Sequence, residues 1–236
     1  MEYIGFIPCR AGSERVKNKN TRPFSGYEGG LIELKLSQMS NVPELAEIVV
    51  SSNDPQILDY AAKFSAEKDS RVVPLERPDE FGRGSTSMER FIVDYIARMR
   101  KSGTIVWTHV THPFATSTIY REAIQAYEKS LQEGYDSLIS VTRRQTFLWR
   151  DGKPFNYDNS TEKWPRSQDI PPVWEINHAI YIMPFATMRS AGDRIGAAPY
   201  FFELPEKDAM DIDWEDQFQL LEQIFEIRKT RGDSLD

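Results

Sequence analysis

Tyr3-Ile4-Gly5-Phe6-Ile7, running into Pro8-Cys9-Arg10-Ala11-Gly12-Ser13-Glu14-Arg15-Val16-Lys17-Asn18-Lys19-Asn20, decides how the rest of the chain is read. Residues 3–7 read as a buried strand, short and apolar and bounded by proline. The loop after it is polar and basic. In an open α/β sheet, ligands bind outside the carboxyl ends of the strands, so this loop stands where a binding site is expected. The small-residue turn Ala11-Gly12-Ser13 lets backbone N–H groups face a ligand as an anion nest. Arg10, Arg15, Lys17 and Lys19 place four cations within ten positions. On a chain of formal net charge -7, that cluster points to a polyanion, and a triphosphate suits it. The spacing is neither G-x-x-x-x-G-K-[ST] nor G-x-G-x-x-G. The plainer reading of a charge run is a solvated surface loop; its place directly after the first strand favours function.

Outward from this stretch, elements alternate. Residues 31–39 read as a helix and 47–51 as a second strand, ending in Ser51-Ser52-Asn53-Asp54. Asp54-Pro55 opens a helix to about residue 64, with proline in its first turn. Residues 71–74, 104–110 and 137–141 read as strands, and 117–131 as a helix. Residues 86–101 read as an amphipathic helix with Phe91, Tyr95 and Met99 four apart. Such alternation implies βαβ units, and so an α/β fold with a mainly parallel open sheet flanked by helices. The pattern changes at residues 143–174, rich in Pro, Asp, Asn and aromatics, which read as a loop or hairpin excursion serving function or an interface. Strand 179–183 and a closing helix, 214–227, complete a single domain, 1–236.

Composition narrows the class. With 40% hydrophobic and 28% charged residues the chain is an ordinary globular protein rather than a disordered one. The net negative charge argues against nucleic acid as a partner. No apolar stretch is long enough to span a bilayer, and the start has no basic n-region of a signal peptide. Cys9 is the single cysteine, which suits a reducing compartment. A cytoplasmic protein without membrane attachment is expected.

The loop motif Ile7-Pro8-Cys9-Arg10-Ala11-Gly12-Ser13, with Lys19-Asn20, resembles the first motif of the acylneuraminate cytidylyltransferases, the CMP-sialic acid synthetases, I-P-A-R-x-G-S-x-x-x-x-x-K-N. Further matches keep that family's order: Val49-Val50-Ser51-Ser52-Asn53-Asp54; Arg77-Pro78-Asp79-Glu80-Phe81 with Ser85-Thr86-Ser87; Thr108-His109-Val110-Thr111-His112-Pro113-Phe114; Arg166-Ser167-Gln168-Asp169-Ile170-Pro171-Pro172; Asn177-His178-Ala179-Ile180-Tyr181; and Asp211-Ile212-Asp213 before the last helix. Departures are Glu14 at an often basic position, Ser167 for a second arginine, His178 for a glycine, and His109 and His112 at positions associated with the sugar.

The resemblance implies a Rossmann-like nucleotidyltransferase fold and transfer of CMP from CTP to an acidic 2-keto sugar, with release of pyrophosphate. It implies that Arg10, Ala11, Gly12, Ser13, Lys19, Asn20, Arg77 and Ser85 bind the nucleotide, with Arg10, Lys19 and Asp211 catalytic. His109, Thr111, His112, Arg166, Gln168, Asn177 and His178 would face the sugar. Asp211 and Asp213 alternate along an extended link and so share a face; with phosphate oxygens they suit Mg²⁺. Read from the residues alone, Asp213 is an N-cap for the last helix, with Asp216 three residues on; the resemblance makes it a metal ligand, and both roles can coexist. The resemblance also implies a homodimer in which residues 143–205 hold the dimerisation and sugar-site excursion. Lys17-Asn18-Lys19-Asn20 and the Asp-Ile-Asp ending favour this branch over the sister enzymes that activate 3-deoxy-manno-octulosonate. The histidine departures leave open a relative of sialic acid, such as a bacterial nonulosonate. Glu14 leaves open a non-catalytic relative.

Overall fold

A computed structural model describes residues 1–12 and 15–236. Strand β1 (Tyr3–Pro8) forms as expected, and its side chains alternate between two cores. Tyr3 and Ile7 face one side of the sheet, Ile4 and Phe6 the other. Gly5 lies where a Cβ would come within 2.9 Å of Met39 Cε, so its lack of a side chain lets helix α1 (Leu31–Ser40) pack close.

Strand β2 (Leu45–Ser52), helix α2 (Pro55–Glu67) and strand β3 (Val72–Glu76) come next. The Asp54 carboxylate caps α2, accepting the Gln56 N–H at 3.0 Å, and Pro55 sits in the first turn. A short turn, α3 (Asp79–Gly82), leads to the segment expected as one regular helix over 86–101. It is helical but irregular: α4 (Met88–Arg90) widens to a π-type turn over Phe91–Tyr95 and tightens to a 3₁₀ turn over Ile96–Arg98. Local changes of helical pitch re-aim side chains. Here Phe91 is buried and the Tyr95 hydroxyl reaches Ser51 Oγ at 3.0 Å, at the end of β2.

The chain continues through β4 (Thr104–Thr108), α5 (Ser117–Gln132) and β5 (Ser137–Arg144), then a small hairpin of β6 (Trp149–Arg150) and β7 (Lys153–Pro154). It ends with β8 (Val173–Pro184), α6 (Phe185–Ala191), β9 (Pro199–Glu203) and α7 (Glu215–Thr230). The main sheet has seven strands in the order β3-β2-β1-β4-β8-β5-β9. β8 runs against both neighbours, and every other pair is parallel. The α/β class with a mainly parallel sheet is therefore as expected. Of the span 143–205, β8 and β9 belong to this sheet, so the excursion outside it narrows to 145–172. Tyr200-Phe201-Phe202 form the edge strand β9, where Phe201 stays exposed.

Opposite β5, β8 carries a wide bulge. Ile139 pairs with Tyr181 and Val141 with Ile176, so extra residues of β8 are pushed out between those pairs. Asn177 Oδ1 accepts from Ser140 Oγ at 2.5 Å and Asn177 Nδ2 donates to Thr142 Oγ1 at 3.1 Å, which fastens the bulge. His178 takes φ 62° there, in the left-handed region. That region suits glycine best, and histidine is among the residues that tolerate it.

Candidate active site

Sheet order reverses between β1 and β4, because the chain leaves β1 outward to β2 and β3 and returns to β4 on the other side. A crevice opens at such a switch point, beyond the carboxyl ends of the strands. Here it is a cavity of about 420 Å³ lined by Pro8, Arg10, Arg15, Val16, Lys19, Asn20 and Arg77, by Phe81, Arg83, Gly84, Thr86, Met88 and Phe91, and by Trp107, His109, Val110 and Thr111.

Backbone ties shape its floor. Past β1, Cys9 N donates to Ser51 O at 2.9 Å and Ala11 N to Asn53 Oδ1 at 2.9 Å, so the basic loop hangs from the end of β2. Val16 is buried and anchors the same loop. Gly12 takes φ 76° at the nest turn, a conformation open to glycine. Lys19 Nζ donates to Ile212 O at 2.8 Å, and Ile212 N donates to Thr111 O at 3.0 Å. The Asp211-Ile212-Asp213 link is thereby clamped between the loops after β1 and β4. Burial lowers the pKa of Lys19, while the Asp211 and Asp213 carboxylates act the other way.

Arg77 is buried at the end of β3. Its Nη2 donates to Ser51 O at 2.7 Å, and its guanidinium lies 4.6 Å from the centre of the Phe91 ring. Among the described residues no carboxylate pairs with it. Arg10, Lys19, Arg77 and Arg83, without ion pairs among the described residues, make the lining a cationic wall, the charge an anionic ligand needs; Arg15 lines it too but pairs with Asp213.

The other end carries the histidines. Burial holds His109 well below the ordinary histidine range, and its ring lies 5.8 Å from that of Trp107. His112 is buried beneath it. Its Nε2 donates to Asn177 O at 2.8 Å, because a carbonyl oxygen only accepts. Nδ1 then turns toward Asp211 Oδ1 at 3.8 Å, and neither atom has a hydrogen-bond partner among the described residues. The loop holding His112 rests on α1: buried Lys35 donates to His112 O, Ala115 O and Tyr120 Oη at 3.0, 3.1 and 2.8 Å, and Gln38 Nε2 donates to Pro113 O at 2.8 Å. Burial pulls Lys35 down to about 7.

The residues expected from sequence divide into groups. Arg10, Lys19, Asn20, Arg77, His109 and Thr111 line the cavity, with Ala11 and Gly12 in the loop at its mouth. Asp211, His112 and Asn177 meet beside His109, whose ring lies 6.4 Å from that of His112, while His178 turns to Tyr181. Asp213 accepts from Arg15 Nη2 at 2.8 Å rather than capping α7, whose first turn is held by Gln217 Oε1 accepting from the N–H groups of Asp213 and Trp214. Ser85 is exposed, its neighbours Gly84 and Thr86 reaching the cavity instead. Arg166 and Gln168 are exposed on the excursion, Arg166 paired with Asp169 at 2.7 Å. Ser13 and Glu14 lie outside the described residues.

Sequence reading missed Phe81, Arg83, Met88, Phe91 and Trp107. Trp107 was within reach, since it stands two residues before His109 and so shares its face of the strand. The others depend on how the irregular helix folds back over the crevice. Among the described residues, no cluster of three or more His, Cys, Asp or Glu forms a metal cage.

Comparison with known proteins gives the family and the fold. A pseudaminic acid cytidylyltransferase of Campylobacter jejuni is 28% identical over 189 residues, covering 77% of this chain and 78% of that one. A CMP-N,N'-diacetyllegionaminic acid synthase of Legionella pneumophila is 22% identical over 247 residues, covering 97% and 98%. A solved CMP:2-keto-3-deoxy-manno-octonic acid synthetase complexed with CTP shares the fold, with a TM-score of 0.68 at 12% identity over 95% of this chain and 98% of that one. The family model described as cytidylyltransferase matches residues 4–230, nearly the whole chain, and the protein belongs to that cytidylyltransferase family.

Proposed function

We propose that the protein transfers CMP from CTP to the anomeric hydroxyl of an acidic 2-keto sugar of the nonulosonate class. The observation that carries this is the crevice at the β1/β4 switch point, lined by Arg10, Lys19 and Arg77 together with His109 and Thr111, with the Asp211-Ile212-Asp213 link clamped against Lys19. The names of the Campylobacter and Legionella relatives support a sugar of this class.

The reaction forms a bond from the anomeric oxygen to the α-phosphorus and breaks the bond from that phosphorus to the bridging oxygen of pyrophosphate. No covalent enzyme intermediate is needed, so catalysis is positioning and charge neutralisation. Arg10 and Lys19 hold the phosphates and oppose the charge that grows on the leaving pyrophosphate. Arg77, fixed by Ser51 and Phe91, faces the nucleotide. His109 stays neutral, so it can offer a hydrogen bond to an acceptor hydroxyl without adding charge. Asp211 and Asp213 are the residues to hold Mg²⁺. Asp211 Oδ1 is buried without a partner among the described residues, an orphaned acceptor that a cation satisfies. Mg²⁺, when bound with phosphate oxygens, supplies charge neutralisation at the triphosphate.

Arg166 and Gln168 stand away from the cavity, among the exposed aromatics Trp149, Phe155, Trp164 and Trp174. Exposed aromatics of this kind are enriched at subunit contacts. A homodimer in which the excursion of one subunit approaches the partner's sugar site accounts for both features. Light scattering at micromolar concentration tests it, and a monomer would overturn it. The cytoplasm is the proposed compartment, consistent with the single buried cysteine, Cys9. Among the described residues, no helix is long and apolar enough to cross a membrane.

Pyrophosphate release from purified protein, CTP and Mg²⁺, across a panel of nonulosonates and 3-deoxy-manno-octulosonate, tests the function. Release with one nonulosonate is expected. Release with 3-deoxy-manno-octulosonate alone would move the protein to the sister branch. Silence across the panel with CTP binding intact would favour a non-catalytic role.

A further inference from the structure

Beside Trp107, which lines the crevice, stands a further arginine, Arg194, and no ion pair neutralises it among the described residues. Helix α6 ends at Gly192, in left-handed conformation, and the chain turns back over the sheet through Asp193 and Arg194. The Arg194 guanidinium lies 4.3 Å from the centre of the Tyr181 ring and 5.1 Å from that of Trp107. Those two residues are register partners on β8 and β4, so together they present an aromatic platform. Stacking of this kind holds a guanidinium in place and leaves its in-plane N–H groups free to bind.

Its guanidinium meets His178 and Tyr181, and no carboxylate pairs with it among the described residues. Arg194 Nη2 lies 3.3 Å from His178 Nδ1, which Tyr181 Oη also approaches at 2.5 Å. An arginine only donates, so His178 Nδ1 is the acceptor and the ring is neutral. Burial first and then Arg194 push the His178 proton off, against the opposite pull of Asp211, Asp213 and Glu175, and Arg194 and Lys19 both act on His109 in the lowering sense. Asp193 accepts the backbone N–H of Arg194 at 2.6 Å rather than its guanidinium. A half-buried arginine, oriented by two rings, in contact with one histidine and without an ion pair among the described residues, is built for an anion brought from outside.

We infer that Arg194 binds the carboxylate of the acidic acceptor sugar and so selects 2-keto acids over neutral sugars; this rests on the acidic-acceptor reading above. Arg194 then meets the second anionic substrate beside Trp107 and His109, while Arg10, Lys19 and Arg77 meet the triphosphate, with His109 in the field of both Lys19 and Arg194.

The test compares wild type, Arg194→Met and Arg194→Lys with CTP, Mg²⁺ and the best nonulosonate of the panel, supplied as free acid and as methyl ester. Expected for Arg194→Met is a KM for the acid raised about tenfold to a hundredfold, the scale of a charge-assisted contact, with KM for CTP unchanged. The preference for acid over ester is expected to vanish in Arg194→Met and to survive in part in Arg194→Lys. An unchanged acid-to-ester ratio in Arg194→Met, or a raised KM for CTP alone, overturns the assignment. If Arg194→Met loses CTP binding through misfolding, Arg194→Lys and Arg194→Gln carry the same comparison. A wild type that turns over no acidic sugar overturns the functional reading and Arg194's role with it, an outcome distinct from an active wild type with indifferent variants.

Discussion

Lys19 Nζ donates to the backbone oxygen of Ile212 at 2.8 Å, joining residues 193 positions apart. The contact sets the basic loop of the first strand against the acidic link before the last helix. It puts cation and carboxylates in one place, as transfer between two anionic substrates requires.

Replacing Lys19 by alanine removes both that tie and a positive charge from the phosphate wall. Turnover should fall by about a hundredfold to a thousandfold, as for other preorganised charge-stabilising groups. Steady-state kinetics with saturating CTP reads this, and a tenfold loss or less would place Lys19 outside the reacting centre.

Asp211→Asn keeps the shape of the side chain and removes its charge. The fold should persist, since Asp211 Oδ1 makes no hydrogen bond among the described residues. Mg²⁺-dependent pyrophosphate release should be lost while circular dichroism stays unchanged. Full activity in this variant would remove Asp211 from the metal site.

Lys35 holds three acceptors in a fully buried place. Lys35→Met leaves two loop carbonyls without a donor, which should cost about 2–4 kcal/mol by urea denaturation. Because His112 sits on that loop, the surviving protein should also show a raised KM for the sugar. A change below about 1 kcal/mol would mean that the loop holds itself.

His109, His112 and His178 all have pKa values lowered by burial. The unfolded chain takes up protons near pH 6.5 that the folded chain refuses, so the unfolded state binds more protons below that pH. No stability is lost to this effect above pH 6.5; loss begins as pH falls through it and runs down to the folded pKa values. His109→Gln should flatten that acid slope by at most about 1.4 kcal/mol per pH unit. Chemical denaturation at pH 7.5, 6.0 and 5.0 measures it, and an unchanged slope would mean His109 protonates freely in the fold.

At His178 the backbone φ of 62° predicts an order rather than a size. His178→Gly and His178→Ala both lose the ring contacts to Tyr181 and Arg194. The glycine variant should nonetheless be the more stable by about 1 kcal/mol, because alanine strains the left-handed conformation. Equal stabilities would mean that the bulge relaxes.

Local sequence alone determined the alternation of strands and helices and the parallel sense of most of the sheet, and it singled out the loop after β1 as a candidate binding loop. These follow from short-range rules: apolar runs of strand length, the Asp54-Pro55 cap and a basic run at a strand end. The family resemblance marked Arg10, Lys19, Arg77, His109 and Asp211, whose motifs each span only a few residues along the chain. Tertiary structure decided the rest. The reversal of β8, the pitch changes over Phe91–Arg98 and the edge position of β9 depend on which strands find each other. The same holds for Arg194 and Lys35, which carry no motif. Arg194 becomes a site residue when Trp107 and Tyr181 pair across β4 and β8, and Lys35 becomes a support when α1 packs beneath the β4 loop. A side chain's charge is written in the sequence; whether that charge meets water, a partner or a substrate is set by neighbours far along the chain.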